Sequence, residues 1–491
     1  MNFDFTAYYA AWQTILPETF LTIWACVLCT LAVIQKEGET GRSGTFAVWT
    51  LIGALITAAW VAVTEDGAAF GGMFVFDRMA LLFKEIVLGG VILTAIASIG
   101  TVGRMSHHRG EYFGLVLFSA VGMMLMASAT ELLTLYISIE LATIPLFVLA
   151  AFHKTNRRSA EAGLKYVILG GISSAILLYG VALLYGLTGQ TELAAIKTAV
   201  SDLYMREGGF PPVMALALLM LIAGFGFKLA LAPFHMWAPD VYEGAPTPIT
   251  AYLSVASKAA AVAAFLRVFF VGLESSMMIW TQAVAALAAL GMIVGNATAI
   301  VQSNIKRMLA YSSVAQIGYL LVGAVAVDEW GATSMSFYAL AYLFANMGAF
   351  ICVIAFSERS GSDEIMDYTS LARRSPSLAT FFSIFLLSLA GIPPTAGFLA
   401  KYYVFLAAIK AGYLWLVLVG VLTSVIALYY YATIIRRMFF PLDQPEGGFA
   451  VSGALTTALV ITALGVIFFG VFPGPLVDFA KNAAQMFLAA L

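Results

Sequence analysis

The most informative segment of the chain is GFGFKLALAPFHMWAPDVYEGAPTPITAYLSVASKAA, residues 224–260. Lys228 and Lys258 stand there within runs that are otherwise apolar, and Pro233 follows the first lysine after about one helical turn. Proline removes a backbone donor and frees a carbonyl, so a helix is expected to break at this point. A charge beside a helix break in an apolar segment is typical of an ion site inside a membrane.

The composition of the whole chain also predicts a membrane protein. Of 491 residues, 62% are hydrophobic and 11% are charged, whereas soluble domains carry roughly 25% charged residues. Apolar runs of about 20 residues, the length that crosses a bilayer, fall at about 16–34, 44–63, 79–99, 113–129, 132–152, 162–187, 212–232, 247–271, 278–300, 306–327, 333–356, 378–400, 412–435 and 452–472. These runs are continuous and too long for barrel strands. We therefore expect one all-α integral membrane domain, residues 1–491, with about fourteen transmembrane helices.

The distribution of Lys and Arg predicts the orientation of these helices. Fourteen of the 25 cations fall in one set of alternate connections, and six fall in the other set with the termini. Because cytoplasmic connections are enriched in cations, both termini are expected to face outward. No arginine is left within the predicted spans. Five lysines remain there: Lys84, Lys165, Lys228, Lys258 and Lys401.

Charges inside the predicted spans are the candidate functional residues. A charge at the bilayer centre costs at least about 2.5 to 3.5 kcal/mol, so it needs a partner or a water-lined path. Lysine loads and releases a proton readily when it is desolvated, whereas arginine stays protonated. We expect proton transfer by Glu140, near the middle of the fifth span, and by Lys228, Lys258 and Lys401. The alternatives are a protonated, hydrogen-bonded Glu140, a Lys228 paired with a fixed acid, and an interfacial Lys401.

Two interrupted helices, at about 212–248 and 378–405, lie five spans apart. The second contains LSLAGIPPTAGFLAKYYVF, residues 387–405, in which Pro393, Pro394 and two glycines predict an unwound segment before Lys401. This spacing is typical of inverted-repeat transporters. The sequence predicts two inverted five-helix repeats, at about 113–271 and 278–435.

Three further residues are weaker candidates. Lys165 stands one turn into its helix after a cationic connection, and His235 lies just beyond the first break. The histidine is a possible proton relay, because it titrates near neutral pH, or it orients the break. Lys84 lies near the outer end of its span beside Glu85, and we expect it to snorkel to the membrane surface.

Long motifs of the chain resemble a known family. Residues 224–260, SNIKRMLAYSSVAQIGY at 303–319 and AGIPPTAGFLAKYYVF at 390–405 are similar to the antiporter-like membrane subunits of complex I, the proton-translocating NADH:quinone oxidoreductase. The similarity covers nearly the whole chain. Lys401, where the M-type subunit has a glutamate, favours the N-type, the bacterial counterpart of mitochondrial subunit 2.

The resemblance implies a fourteen-helix fold with two inverted five-helix repeats and a set of proton-carrying residues on named helices. These are Glu140 on the fifth helix, Lys165 on the sixth, Lys228 on the seventh, Lys258 on the eighth and Lys401 on the twelfth. A histidine that some sister subunits carry on the eleventh helix is absent. Water or the side chains of Tyr338, Tyr342 and Asn346 could take its place.

The resemblance also implies partners and a location. The chain would sit in a bacterial inner membrane, with periplasmic termini, beside other complex I membrane subunits, including neighbouring antiporter-like ones. NADH, FMN, iron-sulfur clusters and quinone would be bound in partner subunits. No phosphate-binding loop, haem pair, Cys cluster or metal set is found here, and a net charge of −2 argues against nucleic acid.

The expected mechanism couples the buried charges. We expect an ion pair between Glu140 and Lys228 whose making and breaking controls the proton on the lysine, with Lys258 passing protons through buried water to Lys401. Two rival functions remain open at this point. One is a subunit of a Mrp-type sodium/proton antiporter, and the other is a purely structural membrane anchor.

Overall fold

A computed structural model of the chain describes residues 12–34, 42–64, 67–103, 108–440 and 447–489. Within these ranges the chain forms nineteen α-helices, and thirteen of them are long and apolar enough to span a membrane. The helices are α1 (Leu16–Ile34), α2 (Ser43–Thr64), α3 (Arg78–Gly103), α4 (Arg109–Ser128), α5 (Leu132–Ala150), α6 (Arg157–Thr188), α7 (Leu193–Glu207), α8 (Pro212–Leu229), α9 (Trp237–Gly244), α10 (Thr247–Phe265), α11 (Met277–Ala299), α12 (Ile305–Val322), α13 (Glu329–Ser360), α14 (Leu371–Arg374), α15 (Pro376–Ala390), α16 (Ala396–Lys410), α17 (Leu414–Phe439), α18 (Gly453–Val471) and α19 (Gly474–Ala489).

Both predicted helix breaks are confirmed. Helix α8 ends at Leu229, Ala230 adopts a left-handed conformation with φ 56°, and the short helix α9 follows. Helix α15 ends at Ala390, Gly391 has φ +87°, and α16 begins at Ala396. At a rise of 1.5 Å per residue, the 15 residues of each of these two half-helices together reach about 45 Å. This pair therefore supplies the fourteenth crossing.

The centre of the protein is formed by α10, α12 and α13. The most apolar window of α10 is entirely buried, and those of α12 and α13 are nearly so. By contrast, only 28% of the corresponding window of α1 and of α6 is buried, and both helices present apolar side chains to the surroundings. Lysines on the central helices are therefore isolated from lipid and water, whereas a lysine on α6 can remain near the surface.

Two connections contain structure that the apolar runs do not predict. Helix α7 occupies the connection after α6, and it buries Leu193, Ile196, Val200 and Leu203 at helical spacing. Such a one-sided apolar face is an amphipathic pattern, too polar overall for a span. Between α2 and α3, β1 (Gly67–Ala69) pairs antiparallel with β2 (Phe74–Phe76).

The expectation that arginine is absent from the spans is wrong at one position. Arg267 lies in a π-helical segment, Leu266–Gly272, that extends α10, and only 4% of its side chain is exposed. Its guanidinium donates to both carboxylate oxygens of Asp77 at 2.9 and 3.0 Å. Both bonds come from Nη2, while Nε donates to Ala127 O. These hydrogen bonds, two of them to the carboxylate that immediately precedes α3, offset the cost of burial. Two of the cations that predict the orientation, Lys36 and Arg104, lie outside the described residues.

Candidate proton-translocation site

The first buried lysine, Lys228, lies in the last turn of α8 and has 6% of its surface exposed. Its ammonium donates to Thr143 Oγ1 of α5 at 2.5 Å. Glu140, one turn earlier on α5, accepts a hydrogen bond from Ser174 of α6 at 2.6 Å. All four residues line one cavity between the three helices. Thr143 and Ser174 thus hold the two charged groups in place.

The expected ion pair between Glu140 and Lys228 is not formed in this structure. Both residues are described, and no salt-bridge contact joins them, because each charged group bonds to a hydroxyl instead. Both side chains nevertheless line the same small cavity. The arrangement is therefore an open acid–base pair, in which the two groups share a cavity without contact.

The second buried lysine, Lys258, lies in the middle of α10 with 1% of its surface exposed. Its ammonium donates to Ser313 Oγ of α12. The same hydroxyl oxygen accepts a hydrogen bond from Tyr342 of α13 at 2.9 Å. Small residues beside Lys258 allow this close packing. Ser313 therefore joins three helices through one oxygen atom.

Polar contacts continue one helical turn away on both sides of this group. Tyr338 lies four residues before Tyr342 on α13 and donates to Gln316 Oε1 of α12. Asn346 lies four residues after Tyr342 and donates to Ser254 of α10 at 2.9 Å. Residues four apart lie on the same face of a helix. Three side chains at successive turns of α13 thus each form a hydrogen bond with a neighbouring helix: Tyr338, Tyr342 and Asn346. We call these three residues and their partners Gln316, Ser313 and Ser254 the ladder.

The third buried lysine, Lys401, lies in the sixth position of α16 and not at a helix end. It reaches back across the break to the end of α15, where it donates to Leu389 O at 3.2 Å and Ala390 O at 3.0 Å. A third bond goes to Ser424 Oγ of α17 at 2.9 Å. The last carbonyls of a helix lack intrahelical partners and carry partial negative charge. The broken helix therefore forms the binding site of this ammonium.

Gly391 makes this approach possible. Its positive φ suits glycine, and a Cβ there would lie 3.0 Å from Lys401 Cδ.

One carbonyl connects the ladder to Lys401. Leu389 O accepts from the lysine and also from Gln316 Nε2 at 2.8 Å. Gln316 lies one turn after Ser313 on α12, so polar side chains are spaced along the helix between Lys258 and Lys401. No hydrogen bond joins Ser313 directly to Gln316 among the described residues. Ser313, Gln316 and this carbonyl were not among the predicted site residues. The only sequence signal was a glutamine inside an apolar span.

Lys165 lies apart from these three lysines. Its side chain is 41% exposed and pairs with Asp240 at 2.6 Å and Glu161 at 2.8 Å. Arg307 contacts Asp240 at 2.7 Å and Glu243 at 2.9 Å. Asp240 lies on α9, outside the spans. Burial opposes its ionisation, but hydrogen bonds from Lys165 and Arg307 outweigh this effect and lower the pKa of Asp240. This cluster is a partly exposed ion-pair network.

The expectation that Lys84 snorkels to the surface is wrong. Its side chain is fully buried, and its ammonium lies 2.7 Å from a carboxylate oxygen of Glu18, whose side chain is 3% exposed. Nζ also lies 4.4 Å from the centre of the Phe76 ring. The tertiary packing of α3 turns this lysine inward, and Glu18 on α1 supplies the counter-charge that makes burial possible.

The five lysines therefore fall into two groups by their partners. Lys84 and Lys165 contact carboxylates. In the described part of the chain, Lys228, Lys258 and Lys401 form hydrogen bonds with neutral hydroxyl and carbonyl oxygens and with no carboxylate. Lys401 Nζ also lies 4.4 Å from the centre of the Tyr319 ring. An ammonium buried among neutral acceptors is costly to keep charged, so its proton is the more easily removed.

His235 lies in the segment between α8 and α9. Its Nδ1 is buried and has no hydrogen-bond partner among the described residues. Its ring centre lies 6.1 Å from that of Tyr311. Its relay role stays a prediction. Across the described ranges, no three or more His, Cys, Asp or Glu side chains are grouped as a metal site requires.

Comparisons with known proteins identify the family of this chain. The family described as NADH:quinone oxidoreductase/Mrp antiporter, transmembrane, matches residues 129–427. NADH-quinone oxidoreductase subunit N of Moorella thermoacetica is 45% identical over 438 residues, which is 89% of this chain and 90% of that protein.

Solved structures show the same relationship. A chain of respiratory complex I from Thermus thermophilus superposes with a TM-score of 0.80 and 32% identity, covering 95% of this chain and 99% of that one. A chain of the Mrp complex from Dietzia sp. DQ12-45-1b gives 0.84 at 20% identity, covering 97% and 99%; this second match shows the fold alone. The chain belongs to the NADH-quinone oxidoreductase subunit N family of antiporter-like membrane proteins.

Proposed function

We propose that this chain is the proton-translocating membrane subunit of the respiratory NADH:quinone oxidoreductase. Electron transfer from NADH to quinone would take place in other subunits, and this chain would use the released energy to move protons. NADH, FMN, iron-sulfur clusters and quinone would therefore be held by partner subunits. The family membership supports this function, and the three buried lysines supply groups that can carry it out.

One observation carries the proposal. Lys228, Lys258 and Lys401 are each buried with no carboxylate in contact among the described residues. Polar side chains one helical turn apart, Ser313 and Gln316, lie between the last two lysines. A lysine held permanently charged for structural reasons would be expected to have a contacting acid, as Lys84 has. The absence of that acid favours a group that alternates between charged and neutral forms.

In the proposed sequence of events, Glu140 and Lys228 form the first proton-loading unit. Approach of the carboxylate would stabilise the charged lysine, and its withdrawal to Ser174 would release the proton. Lys258 would receive a proton and pass it along the row formed by Ser313 and its neighbours toward Lys401. These interacting groups titrate as a set. Protonation of one would therefore change the proton affinity of the next.

We also propose that the chain contains two inverted five-helix repeats, at about 113–271 and 278–435. The third helix of each, α6 and α13, has 32 residues, and the fourth is broken in each. This correspondence supports the assignment. We further propose that the chain lies in a bacterial inner membrane beside other antiporter-like subunits, with both termini on the periplasmic side, as the distribution of cations favours.

The Mrp-type antiporter is the alternative function. Its fold is the same, but a likeness at 20% identity does not extend beyond the fold. The 45% identity with a subunit N over most of both chains favours the redox-linked complex. Sodium-dependent proton exchange by a complex that lacks NADH-oxidising subunits would support the alternative.

The test compares K258M with K481M in the intact complex. Lys258 is buried in the ladder, whereas Lys481 is exposed on α19 and pairs with Glu329 at 3.6 Å. NADH-driven acidification of inverted membrane vesicles is measured together with NADH oxidation by a water-soluble acceptor, which reports assembly.

Acidification is expected to fall at least about tenfold in K258M, equivalent to a barrier increase of about 1.4 kcal/mol, and to stay unchanged in K481M. Full pumping by the double variant K228M/K258M would overturn the proposed role of the lysines and favour a purely structural anchor.

A further inference from the structure

An apolar groove runs along the outside of α3, away from the buried lysines. It has a volume of about 360 Å³ and lies between α3, α13, α18 and α19. Its walls are almost entirely aliphatic and aromatic, and its lining includes Leu82, Leu93, Phe344, Phe469 and Phe479. A groove of this composition on the surface of a membrane protein faces hydrocarbon. Its natural occupant is an alkyl chain.

The length of the groove corresponds to one leaflet of a bilayer. Its lining on α3 extends from Leu82 to Leu93, which at 1.5 Å per residue is about 16 Å. Half of the roughly 30 Å hydrocarbon core is about 15 Å. One acyl chain of a phospholipid that lies along α3 would therefore fill the groove from its polar end to the middle of the membrane.

The groove also contains one charged residue, Glu85. No hydrogen bond or ion pair joins it to any other described residue, whereas the neighbouring Lys84 is turned to the opposite side and paired with Glu18. Side chains of a helix tilt toward its N-terminus, and α3 begins at Arg78, about 10 Å away by helical rise. The carboxylate of Glu85 therefore points toward the nearer membrane surface.

Helix α19 lies at the end of the groove that contains Glu85. Leu476 and Phe479 line it, and the helix continues along the surface with Lys481. This lysine lies 3.6 Å from Glu329 of α13, and Gln485 donates to the same carboxylate at 3.0 Å. The nearest cation of α19 is thus already paired. Glu85 is left to attract a positive group from outside the chain.

We propose that this groove binds a phospholipid whose head group carries an amine, with one acyl chain along α3 and the amine at Glu85. The length of the apolar groove matches one acyl chain, which extends from the membrane surface to the middle of the bilayer. The unpaired carboxylate of Glu85 favours a head group with a cationic amine over a purely anionic head group. Phosphatidylethanolamine meets both requirements. The site is independent of proton transfer, because Lys228, Lys258 and Lys401 do not line it.

The experiment measures lipid bound to the purified intact complex. Wild type, E85Q and the control E207Q are extracted in mild detergent, exchanged with deuterated phosphatidylethanolamine or phosphatidylglycerol, washed and analysed by mass spectrometry. Glu207 is an exposed acid at the end of α7 that pairs with Arg206, so its substitution removes one negative charge far from the groove. NADH oxidation with a water-soluble acceptor confirms that each complex is assembled.

Wild type and E207Q are expected to retain one more phosphatidylethanolamine per complex than E85Q. Loss of a hydrogen bond to a charged group should weaken its binding by about tenfold or more. Equal retention by E85Q and wild type would overturn the proposal, as would equal retention of phosphatidylglycerol by wild type. Cross-linking of a p-benzoylphenylalanine placed at Leu476 to a partner subunit would also overturn it, because a protein would then occupy the groove.

Discussion

Substitution of one member of the Glu18–Lys84 pair should destabilise the folded protein far more than substitution of both members. The two groups lie 2.7 Å apart, with side-chain exposures of 3% and 0%, and have no hydrogen-bond partner elsewhere among the described residues. In K84M, the buried carboxylate either stays unpaired or takes up a proton. Proton uptake at pH 7 by a group with an ordinary pKa of about 4.3 costs about 3.7 kcal/mol.

The complementary variant E18M leaves the ammonium of Lys84 unpaired. Its neutralisation at pH 7, from an ordinary pKa of about 10.4, costs about 4.6 kcal/mol. Both limits agree with the 3 to 5 kcal/mol lost when one partner of a buried pair is removed. The double variant E18M/K84M replaces the pair by apolar side chains of similar length. Its stability should stay near that of wild type.

The pH dependence separates this explanation from simple loss of packing. The cost of K84M should fall by about 1.4 kcal/mol for each unit by which the pH is lowered from 7, because proton uptake becomes easier. The cost of E18M should rise by the same amount. The assay is the temperature at which half of the chain dissociates from the purified complex, measured at pH 6, 7 and 8. Parallel pH profiles of the two single variants, or a double variant as unstable as either, would refute the reasoning.

Three further predictions concern the ladder, the second break and the surface network. Q316L should lower NADH-driven acidification about threefold to tenfold, because hydrogen bonds worth about 1 kcal/mol each are lost; unchanged acidification would exclude this residue from the path. G391A should lower acidification by displacing Lys401, whereas G412A, with φ +85° and no neighbour within 4 Å, should cost only backbone strain; equal pumping in both would contradict the role of the close approach. D240N should cost less than about 1 kcal/mol of stability, since the network is partly exposed. Because the pKa of Asp240 is lowered in the folded protein, its stabilisation is present above the ordinary value of about 3.9 and should vanish in acid; a thermal-denaturation series from pH 7 to 3 checks this.

The helix breaks and the buried lysines were predictable from the sequence for one reason. Proline and glycine cannot continue a regular helix at Pro233 or at Pro393 and Pro394, and this constraint is local. A lysine in an apolar run of 20 residues is likewise visible without any knowledge of its neighbours. The sequence therefore located Lys228, Lys258 and Lys401 on their helices.

The partners of these lysines were not predictable, because serine and threonine are ordinary residues in apolar helices. Their hydroxyls usually bond to a carbonyl of the preceding turn, and Thr143 does so with Ile139 O at 2.6 Å. The same hydroxyl oxygen accepts from Lys228. Only the approach of the Lys228 side chain from α8 distinguishes it from other threonines.

The wrong expectation for Lys84 has a related cause. Its distance from the helix end permits either snorkelling or burial, and the sequence neighbour Glu85 suggested a surface position. The choice depends on Glu18, which is 66 positions away in another helix. The same holds for Arg267, whose burial depends on Asp77 at the start of another helix. Charge pairs across helices are set by tertiary structure.

The two helix breaks place their lysines in physically different positions. This difference determines which neighbouring groups respond when each lysine gains or loses a proton. Lys228 belongs to the half-helix before its break and depends on one hydroxyl of a neighbouring helix. Lys401 belongs to the half-helix after its break and is held by the free carbonyls of α15.

Neutralisation of Lys401 would weaken its hold on Leu389 O, which would then bond mainly to Gln316. The protonation state of Lys401 and the position of Gln316 are therefore linked through one backbone oxygen atom. When a proton leaves Lys401, the hydrogen bonds of Gln316 change, and with them the ladder through which the next proton would arrive.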